Sequence, residues 1–351
     1  MRQKMRNCSF LTLVIVVLWA GAAANARYSG GTGEPNDPYK IATPQDLNDI
    51  GHHEEDWDKH FILINDVNLA QYTGAQFKII GRLVTWNDPN NKPFTGVFDG
   101  NDNKICNFTW SSTGRNGIGL FGYLGSGGQI KNLGVENVNV KDGTGWRVAG
   151  IVGWNNGGTI TNCYVTGVVA GCSVIGGVVG FNHYGTITNC YSTGSVVGST
   201  VGGLVGYNYY GTITNCYSTS SVDGDEFVGG LVGFNEGGTI TNCYSTGRVT
   251  ANYDFGGLVG YDYSGQITAS FWDIETSDCN TSAGGMPKTT AEMKTISTFT
   301  DAGWDFIEIW GIGENQTYPF LLTDPAGDLN HDKKVDLVDL AILASHWLEG
   351  P

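Results

Sequence analysis

The clearest metal-binding pattern in the sequence lies near its C-terminus, in the stretch GDLNHDKKVDLVDLAILASHWLEGP. Acidic or amide side chains there occupy positions 1, 3, 5, 9 and 12 of a twelve-residue loop: Asp328, Asn330, Asp332, Asp336 and Asp339. This spacing places alternate oxygen ligands around one hard cation, and the backbone carbonyl of Lys334 fills position 7. The pattern predicts a Ca²⁺ site at these residues, and Ca²⁺ is the cofactor we expect.

A helix should follow this loop, because Leu340, then Leu343 or Ala344, and then Trp347 recur on one helical face. Loop and helix together resemble one half of a dockerin, the calcium-dependent module that attaches secreted proteins to cohesin-bearing scaffolds. The resemblance implies a cohesin-like or other cell-surface protein partner. Dockerins carry two such halves and this sequence has one, with Lys333 where the family has Gly. A solvated acidic tail with a short helix is the alternative.

A second set of residues suited to recognition is a column of tyrosines. The stretch GTITNCYSTG and its near copies occur four times and supply one tyrosine each: Tyr164, Tyr191, Tyr217 and Tyr244. Rings that point outward would form an aromatic strip for stacking on sugar rings or on a protein partner. Rings that point inward would fill a corner between sheets. We predict this column as the binding site, with a polysaccharide or a protein as its ligand.

We predict no catalytic residues, but a polysaccharide-active enzyme must be weighed as an alternative. A polysaccharide lyase needs a Lys or Arg base, but residues 143–286 contain no Lys, and their Arg residues are Arg147 and Arg248. A hydrolase needs two carboxylates roughly 5 to 10 Å apart. Two carboxylate pairs fall on neighbouring copies of the repeat: Glu226 with Asp254, and Glu236 with Asp262. HExxH and GxSxG are absent from the sequence. A polysaccharide-active enzyme, hydrolase or lyase, remains the alternative function.

Repeated coils must position these residues. Copies of the repeat, aligned on the Gly that closes AGIVG, GGVVG or GGLVG, are 27, 26, 27 and 27 residues apart: at Gly153, Gly180, Gly206, Gly233 and Gly260. Each copy has three short runs of β-forming residues separated by Gly, Asn and Ser. Like residues recurring once per coil imply parallel stacking about 4.8 Å apart. The sequence predicts an all-β fold, a right-handed parallel β-helix with three strands per coil of about 27 residues.

The Asn and Cys columns of the repeat have structural interpretations. Asn tolerates the left-handed conformation needed at a corner, so it should bend the chain and return the next residue to the interior. The pairs are Asn162–Cys163, Asn189–Cys190, Asn215–Cys216 and Asn242–Cys243. We expect free thiols that act as small apolar side chains, because stacked parallel side chains would strain a disulfide. A line of thiols also lacks the convergence that a metal site needs.

The stretch GGLVGYNYYGTITNCYSTG resembles the Glug repeat, a short Gly-rich motif of secreted and surface bacterial proteins. The resemblance covers residues 117–275 and implies a right-handed β-helix in a bacterial surface setting, without an assigned reaction. The other predicted segments are a signal peptide at 1–26, an N-terminal cap with the first coils at 27–116, a C-terminal cap at 276–323, and the dockerin-like segment at 324–351.

Short helices and an early strand should close the two ends of the β-helix, because open ends expose unpaired strand edges. One helix is expected after the N-cap Thr43, and a second should place Met293, Ile296 and Phe299 on one face. The stretch HFILINDVNL is expected to form the first strand, and the small C-terminal loop–helix completes the fold.

Composition limits the location and the partners. A basic start, an apolar run and a small-x-small cleavage site mark residues 1–26 as an export signal, so the mature chain should begin at Arg27. That segment carries three positive and no negative charges, so its loss lowers the formal net charge from −15 to −18. Nucleic acid and anionic membranes are therefore not expected as partners, and no later segment has the roughly 20 apolar residues of a membrane span.

These features together predict a secreted, non-catalytic β-helix protein of the surface or adhesion type. The calcium-binding tail would tether it to a cell surface or an assembly, and the tyrosine column would associate it with carbohydrate.

Overall fold

Short runs of β-branched residues between Gly and Asn make each coil a series of short strands. The computed structural model describes residues 27–112, 114–142 and 144–322, so the predicted signal peptide and Ca²⁺ loop lie outside it. Equivalent residues of successive coils pair in parallel: Val152 with Val179, Val179 with Val205, Val205 with Val232, and Val232 with Val259. The coil length of 26 or 27 residues is confirmed, and the fold is a parallel β-helix.

The described strands form three parallel sheets and one short antiparallel pair. The six-stranded sheet consists of Phe121–Leu124, Val152–Asn156, Val179–His183, Val205–Tyr209, Val232–Glu236 and Val259–Tyr263. The four-stranded sheet consists of Val174–Gly176, Thr200–Gly202, Val228–Gly229 and Phe255–Gly256. The antiparallel pair, Trp310–Gly311 with Phe320–Leu321, belongs to the C-terminal cap.

The third sheet, called the long sheet here, contains the Thr-Ile-Thr segments and the segments that follow the Asn corners. Its strands before the repeats are Tyr39–Ile41, His60–Leu63, Val67–Asn68, Val97–Asp99, Lys104–Cys106, Thr109–Ser112 and Gln129–Asp142. Its later strands are Thr159–Ala170, Thr186–Thr188, Tyr191–Gly198, Thr212–Thr214, Tyr217–Ser218, Ser221–Gly224, Thr239–Thr241, Tyr244–Ser245, Val249–Ala251, Gln266–Thr268, Phe271–Asp273 and Met286–Lys288.

The corner asparagines have the predicted left-handed conformation. Their φ angles are 53° at Asn162, 52° at Asn189, 52° at Asn215 and 53° at Asn242. The cysteines that follow are at most 1% exposed and are free: Cys163, Cys190, Cys216 and Cys243. Each Sγ donates to the carbonyl of the Thr two residues earlier, over 3.1 to 3.2 Å. The prediction of buried free thiols is confirmed, and burial raises the pKa of the first three.

A second series of asparagines, called the inner Asn ladder, lies in the core behind the six-stranded sheet. Asn155, Asn182, Asn208 and Asn235 are fully buried, and each donates Nδ2–H to the side-chain oxygen of the next member over 2.6 to 2.8 Å. Each also donates to the backbone carbonyl three residues ahead. The ladder ends at Asp262, whose carboxylate accepts from Asn235. These contacts satisfy amides that would otherwise be costly to bury.

The N-terminal end is closed by a helix and an early strand. The helix Pro44–His52 begins after Thr43, whose hydroxyl accepts from the Asp46 N–H while the Asp46 carboxylate accepts from the Thr43 N–H. This capping box confirms the predicted N-cap. The prediction of the first strand was wrong, because Tyr39–Ile41 precedes the helix and pairs with His60–Leu63. A 3₁₀ turn, Glu54–Asp56, follows the helix.

The C-terminal cap corrects the second predicted helix. Met293 and Phe299 are fully buried, but Ile296 is 38% exposed. The chain forms a 3₁₀ turn at Glu292–Lys294, is extended at Thr295, and then forms the short helix Ile296–Thr300. The extended residue breaks the helical period, so the three apolar residues do not share one face. Another short helix, Ile274–Ser277, precedes this region.

Candidate binding cleft on the tyrosine column

The tyrosine column is a stack of parallel rings. Ring centroids are 4.9 Å apart for Tyr164 and Tyr191, 4.8 Å for Tyr191 and Tyr217, and 5.0 Å for Tyr217 and Tyr244. The planes within each pair differ by 5° or less. The register explains this spacing, because each tyrosine pairs with the tyrosine of the next coil. The ring faces cover one another, so contact with a ligand is left to the ring edges and hydroxyl groups.

Burial of the column changes along its length. Tyr164, Tyr191 and Tyr217 are half-buried, whereas Tyr244 is 1% exposed. Tyr244 packs against aromatic residues of the C-terminal cap: Trp304, Trp310 and Tyr318. The structure therefore places three of the four predicted binding residues together at the surface and encloses the fourth.

A cleft of about 470 Å³ opens over these three tyrosines and is called the tyrosine cleft. Its other lining residues include the outer asparagines Asn132, Asn162 and Asn189 and the cap residues Phe320, Leu321 and Leu322. The outer asparagines form their own ladder, with Nδ2 to Oδ1 distances of 3.0 and 3.1 Å. Each amide uses one N–H and one oxygen lone pair along the ladder and keeps a second of each for another partner. The cleft thus repeats a phenol and an amide once per coil.

The N-terminal end of the cleft is defined by a glycine and an ion pair. Gly134 pairs with Tyr164, and a Cβ at Gly134 would lie 2.5 Å from Cζ of that tyrosine, so only glycine leaves room for the ring. The Tyr164 hydroxyl donates to Glu136 over 2.8 Å, and Lys104 Nζ lies 2.9 Å from the same carboxylate oxygen. Lys104 and then Tyr164 lower the pKa of Glu136, so it is ionised at neutral pH.

Phenols, amides and apolar side chains make up most of the lining of the tyrosine cleft. Asp102 is the one carboxylate among the described residues that line it. Hydrolysis of a glycosidic bond normally needs two carboxylates on either side of the bond. Phenol edges, amides and an apolar wall can hold hydroxyl-bearing and apolar parts of a ligand without reacting with them.

The two carboxylate pairs considered for catalysis lie elsewhere. Glu236 points outward and accepts from the Tyr207 hydroxyl, whereas Asp262 points inward and ends the inner Asn ladder. Those two side chains therefore lie on opposite faces of one sheet. Glu226 and Asp254 are exposed on the turns of neighbouring coils, away from the residues that line the cleft.

Sequence reasoning missed the residues at both ends of the cleft. Lys104 and Glu136 come from coils before the tyrosine repeat, and Phe320 from the C-terminal cap. None of them recurs with the repeat period, so the column pattern could not reveal them. In the coil before the repeat, Gly134 occupies the position of the column tyrosines. This glycine was the one signal in the sequence for the end of the cleft, since it marks where the column ends.

The described parts of the chain are residues 27–112, 114–142 and 144–322. No group of three or more His, Cys, Asp or Glu side chains in those ranges is placed to hold a metal ion. No helix in the same ranges combines the length and hydrophobicity needed to cross a membrane. The predicted Ca²⁺ loop, from Asp328 to Asp339, lies outside them and stays a prediction.

Comparison with known proteins identifies the repeat. The model of the GLUG motif matches four consecutive copies, at residues 144–170, 171–197, 198–223 and 228–250. The chain therefore contains Glug repeats, as the sequence resemblance predicted. The matched copies include three tyrosines of the cleft, Tyr164, Tyr191 and Tyr217.

Two curated relatives share the repeat region. Halomucin of Haloquadratum walsbyi is 34% identical over 155 residues, which are 42% of this chain and 2% of halomucin. A protein of Evansella cellulosilytica, named as a candidate Gly-rich membrane protein, is 30% identical over 174 residues, or 46% of this chain and 19% of that protein. The chain thus spans a small part of either relative.

Solved structures support the fold. A candidate immunoglobulin A1 protease from Bacteroides ovatus has a TM-score of 0.60 and 21% identity, over 84% of this chain and 95% of that one. A second structure, described as IgA1 protease, has a TM-score of 0.50 and 19% identity, over 66% of this chain and 19% of that one. At this level of identity the likeness concerns the fold alone.

Proposed function

We propose that this chain is an exported, non-catalytic binding protein of the surface or adhesion type, which holds a polysaccharide in the tyrosine cleft. The observation that carries the proposal is the repetition of one phenol and one amide per coil along the cleft. Tyr164, Tyr191 and Tyr217 present ring edges at the coil spacing, beside the amides of the outer Asn ladder, and the Tyr164 hydroxyl already donates to Glu136. A polymer built from one repeated unit can meet the same donors and acceptors on each coil.

The chemistry of the cleft favours saccharides over other polymers. Amide and phenol groups exchange hydrogen bonds with sugar hydroxyls, and the Phe320 and Leu322 side chains offer an apolar wall for C–H faces. A net charge of −15 on the full chain disfavours nucleic acid. The charge of Glu136 is balanced by Lys104 at the cleft, and the net charge of −15 on the full chain favours neutral saccharides over acidic ones.

The surface role is supported by the repeat and by the relatives. Glug repeats make up the coils that form the cleft, and one relative is named as a membrane protein. The names of the structural relatives refer to a protease, but their likeness is one of fold and does not bring that activity to this chain.

We also propose that residues 324–351 bind Ca²⁺ and tether the protein to a cohesin-like or other cell-surface partner. Asp328, Asn330, Asp332, Asp336 and Asp339, with the carbonyl of Lys334, would supply the ligands. This part of the proposal rests on the sequence spacing and on the resemblance to a dockerin half.

Affinity electrophoresis tests the cleft proposal. Native gels containing barley β-glucan, galactomannan, xylan or polygalacturonate would be run with the wild type, Tyr191→Phe and Tyr253→Phe. Tyr253 is 68% exposed and does not line the cleft, so its variant is a matched control. We expect retardation in at least one neutral gel, weakened by Tyr191→Phe and unchanged by Tyr253→Phe, with no new reducing ends in the gel. Absence of retardation in every gel, or release of reducing ends, would contradict the proposal.

A further inference from the structure

A second aromatic surface covers the outer face of the six-stranded sheet. Its column consists of Tyr123, Trp154, Phe181, Tyr207, Phe234 and Tyr261. The loop of residues 82–92 brings one more indole to this column. Trp86 of that loop stacks on Trp154 with centroids 5.0 Å apart and planes 26° apart, yet 47% of Trp86 stays exposed. The column therefore has an open aromatic face at the position of Trp86.

A pocket of about 330 Å³ lies beside Trp86 and is called the His183 pocket. Polar side chains share its lining with the indoles: Asn87, Asp88, Asn91, Asn156 and His183. The His183 ring meets Trp86 edge-on at 5.1 Å and Tyr184 edge-on at 4.6 Å, so it lies between the two. Nδ1 of His183 is 2.6 Å from Asn156 Oδ1, which can only accept. The proton is therefore on Nδ1, and burial lowers the pKa of His183, so the ring is neutral at neutral pH and Nε2 is an acceptor.

The turn beside this pocket carries an unusual residue. Equivalent positions in other coils hold Gly157, Gly237 and Ser264, with φ of 78°, 60° and 59°. Here the position is Tyr184, with φ of 52° and 57% exposure. A bulky residue in this conformation costs about 1 kcal/mol. The Tyr184 ring contacts the rings of His183, Tyr209 and Tyr210, yet more than half of the residue stays exposed. Other coils form the same turn with smaller residues, so the turn itself does not require a tyrosine.

Tyr210 in the next coil repeats the exception. Its φ is 49°, it is 51% exposed, and its ring stacks parallel to Tyr184 at 5.5 Å and 11°. The two tyrosines extend an aromatic platform from the His183 pocket along the edge of the sheet.

We propose that the His183 pocket is a second ligand site, which takes a neutral sugar ring against the exposed part of Trp86, with Tyr184 and Tyr210 extending the contact surface on the far side of His183. Exposed aromatic faces bind the apolar faces of pyranose rings, and the surrounding amides, the carboxylate of Asp88 and Nε2 of His183 exchange hydrogen bonds with hydroxyl groups. The Asp88 carboxylate and the net charge of −15 on the full chain disfavour acidic sugars, against the opposite effect of Arg147, whose guanidinium lies over the Trp154 ring. The site lies on a different sheet from the tyrosine cleft, so the inference goes beyond the proposed function and does not depend on it.

Tryptophan fluorescence tests this inference, because Trp86 is an exposed indole at the site. The full chain would be titrated with cellopentaose, mannopentaose and xylopentaose, and with pentagalacturonate as the acidic comparison. We expect a saturable change with at least one neutral oligosaccharide, and no tighter binding of pentagalacturonate. Tyr184→Gly, which restores the residue of the equivalent turns, should weaken the affinity about tenfold without lowering the melting temperature.

Two further variants separate this site from the tyrosine cleft. Trp86→Ala should abolish the fluorescence response, and Tyr191→Phe should leave it unchanged. The inference would be overturned if no neutral oligosaccharide gave a saturable response, if Tyr184→Gly and Trp86→Ala bound as the wild type does, or if Tyr191→Phe removed the response. In the last case the signal would belong to the tyrosine cleft.

Discussion

Tyr191 occupies the middle of the stacked column, with Tyr164 on one side of its ring and Tyr217 on the other. The hydroxyl groups at the ends of the column have internal partners, since Tyr164 donates to Glu136 and Tyr244 donates to the Pro319 carbonyl. The ring of Tyr191 therefore contributes to the fold, while its hydroxyl is the group that we propose binds a ligand. The two contributions can be separated by substitution.

Tyr191→Phe should keep the free energy of unfolding within about 0.5 kcal/mol of the wild type, because the stacked ring remains. Tyr191→Ala should lower it by about 2 kcal/mol, because the half-buried ring loses both stacking neighbours. Urea unfolding followed by circular dichroism measures both values. Equal destabilisation by Phe and Ala would show that the hydroxyl is structural.

Glu136 gives the cleft a pH dependence. Lys104 and Tyr164 lower its pKa in the folded state, so its contribution is present above the unfolded pKa of about 4.3 and is lost as the pH falls through the lower folded pKa. We expect melting temperature and ligand affinity to stay constant between about pH 7 and pH 5 on this account and to fall below about pH 4. The difference in melting temperature between the wild type and Glu136→Gln should shrink over the same acid range. If this difference in melting temperature stayed constant from pH 5 to pH 3, the proposed contribution of the ionised Glu136 would be contradicted.

At the scale of elements, the inner Asn ladder ties each coil to the next. Asn208 accepts from Asn182 over 2.8 Å and donates to Asn235 over 2.8 Å and to the Gly211 carbonyl over 3.1 Å. All of these groups are buried, so the loss of one amide leaves several donors and acceptors without partners. The last member, Asp262, only accepts from the ladder and has fewer contacts to lose.

Asn208→Ala should therefore lower the free energy of unfolding by about 3 kcal/mol. Asp262→Asn should change it by less than about 1 kcal/mol, because an amide oxygen can accept the same hydrogen bond from Asn235. Urea unfolding of the two variants beside the wild type measures the contrast. Comparable effects at the two positions would mean that the ladder does not hold the coils together.

The strands of the repeat were predictable because each coil pairs with the next in the same register. A period of 26 or 27 residues, with Asn at the corner and Cys after it, determines which residues stack and which are buried. Elements outside the period were not predictable in the same way. Tyr39–Ile41 is only three residues long, and the extended Thr295 interrupts a helical pattern that the apolar spacing suggested.

The binding cleft was only partly predictable. The tyrosine column follows from the period, but its enclosure at Tyr244 depends on a contact with Pro319, 75 residues away. The ion pair at the other end joins Lys104 to Glu136 in coils that precede the repeats. Such contacts are set by tertiary packing, which leaves no periodic trace in the sequence.

At the scale of the whole molecule, we propose that residues 324–351 bind Ca²⁺, in addition to the β-helix that the structure describes. The full chain should give a calorimetric Ca²⁺ titration that is abolished by Asp328→Ala, because that residue holds position 1 of the loop. Asp223→Ala, an exposed acid on a coil, is the matched control and should titrate as the wild type does. A flat titration of the wild type, or heat that persists in Asp328→Ala, would remove the calcium assignment.

The central claim is that the tyrosine cleft binds a polysaccharide without cleaving it. The most direct measurement is the calorimetric Kd for a purified oligosaccharide of the polysaccharide retained in the gels. We predict a Kd that is about fivefold weaker in Tyr191→Phe, as expected for one lost hydrogen bond, and unchanged in Tyr253→Phe, with the oligosaccharide recovered intact. Equal affinities in the wild type and Tyr191→Phe, or recovery of shortened products, would contradict the claim.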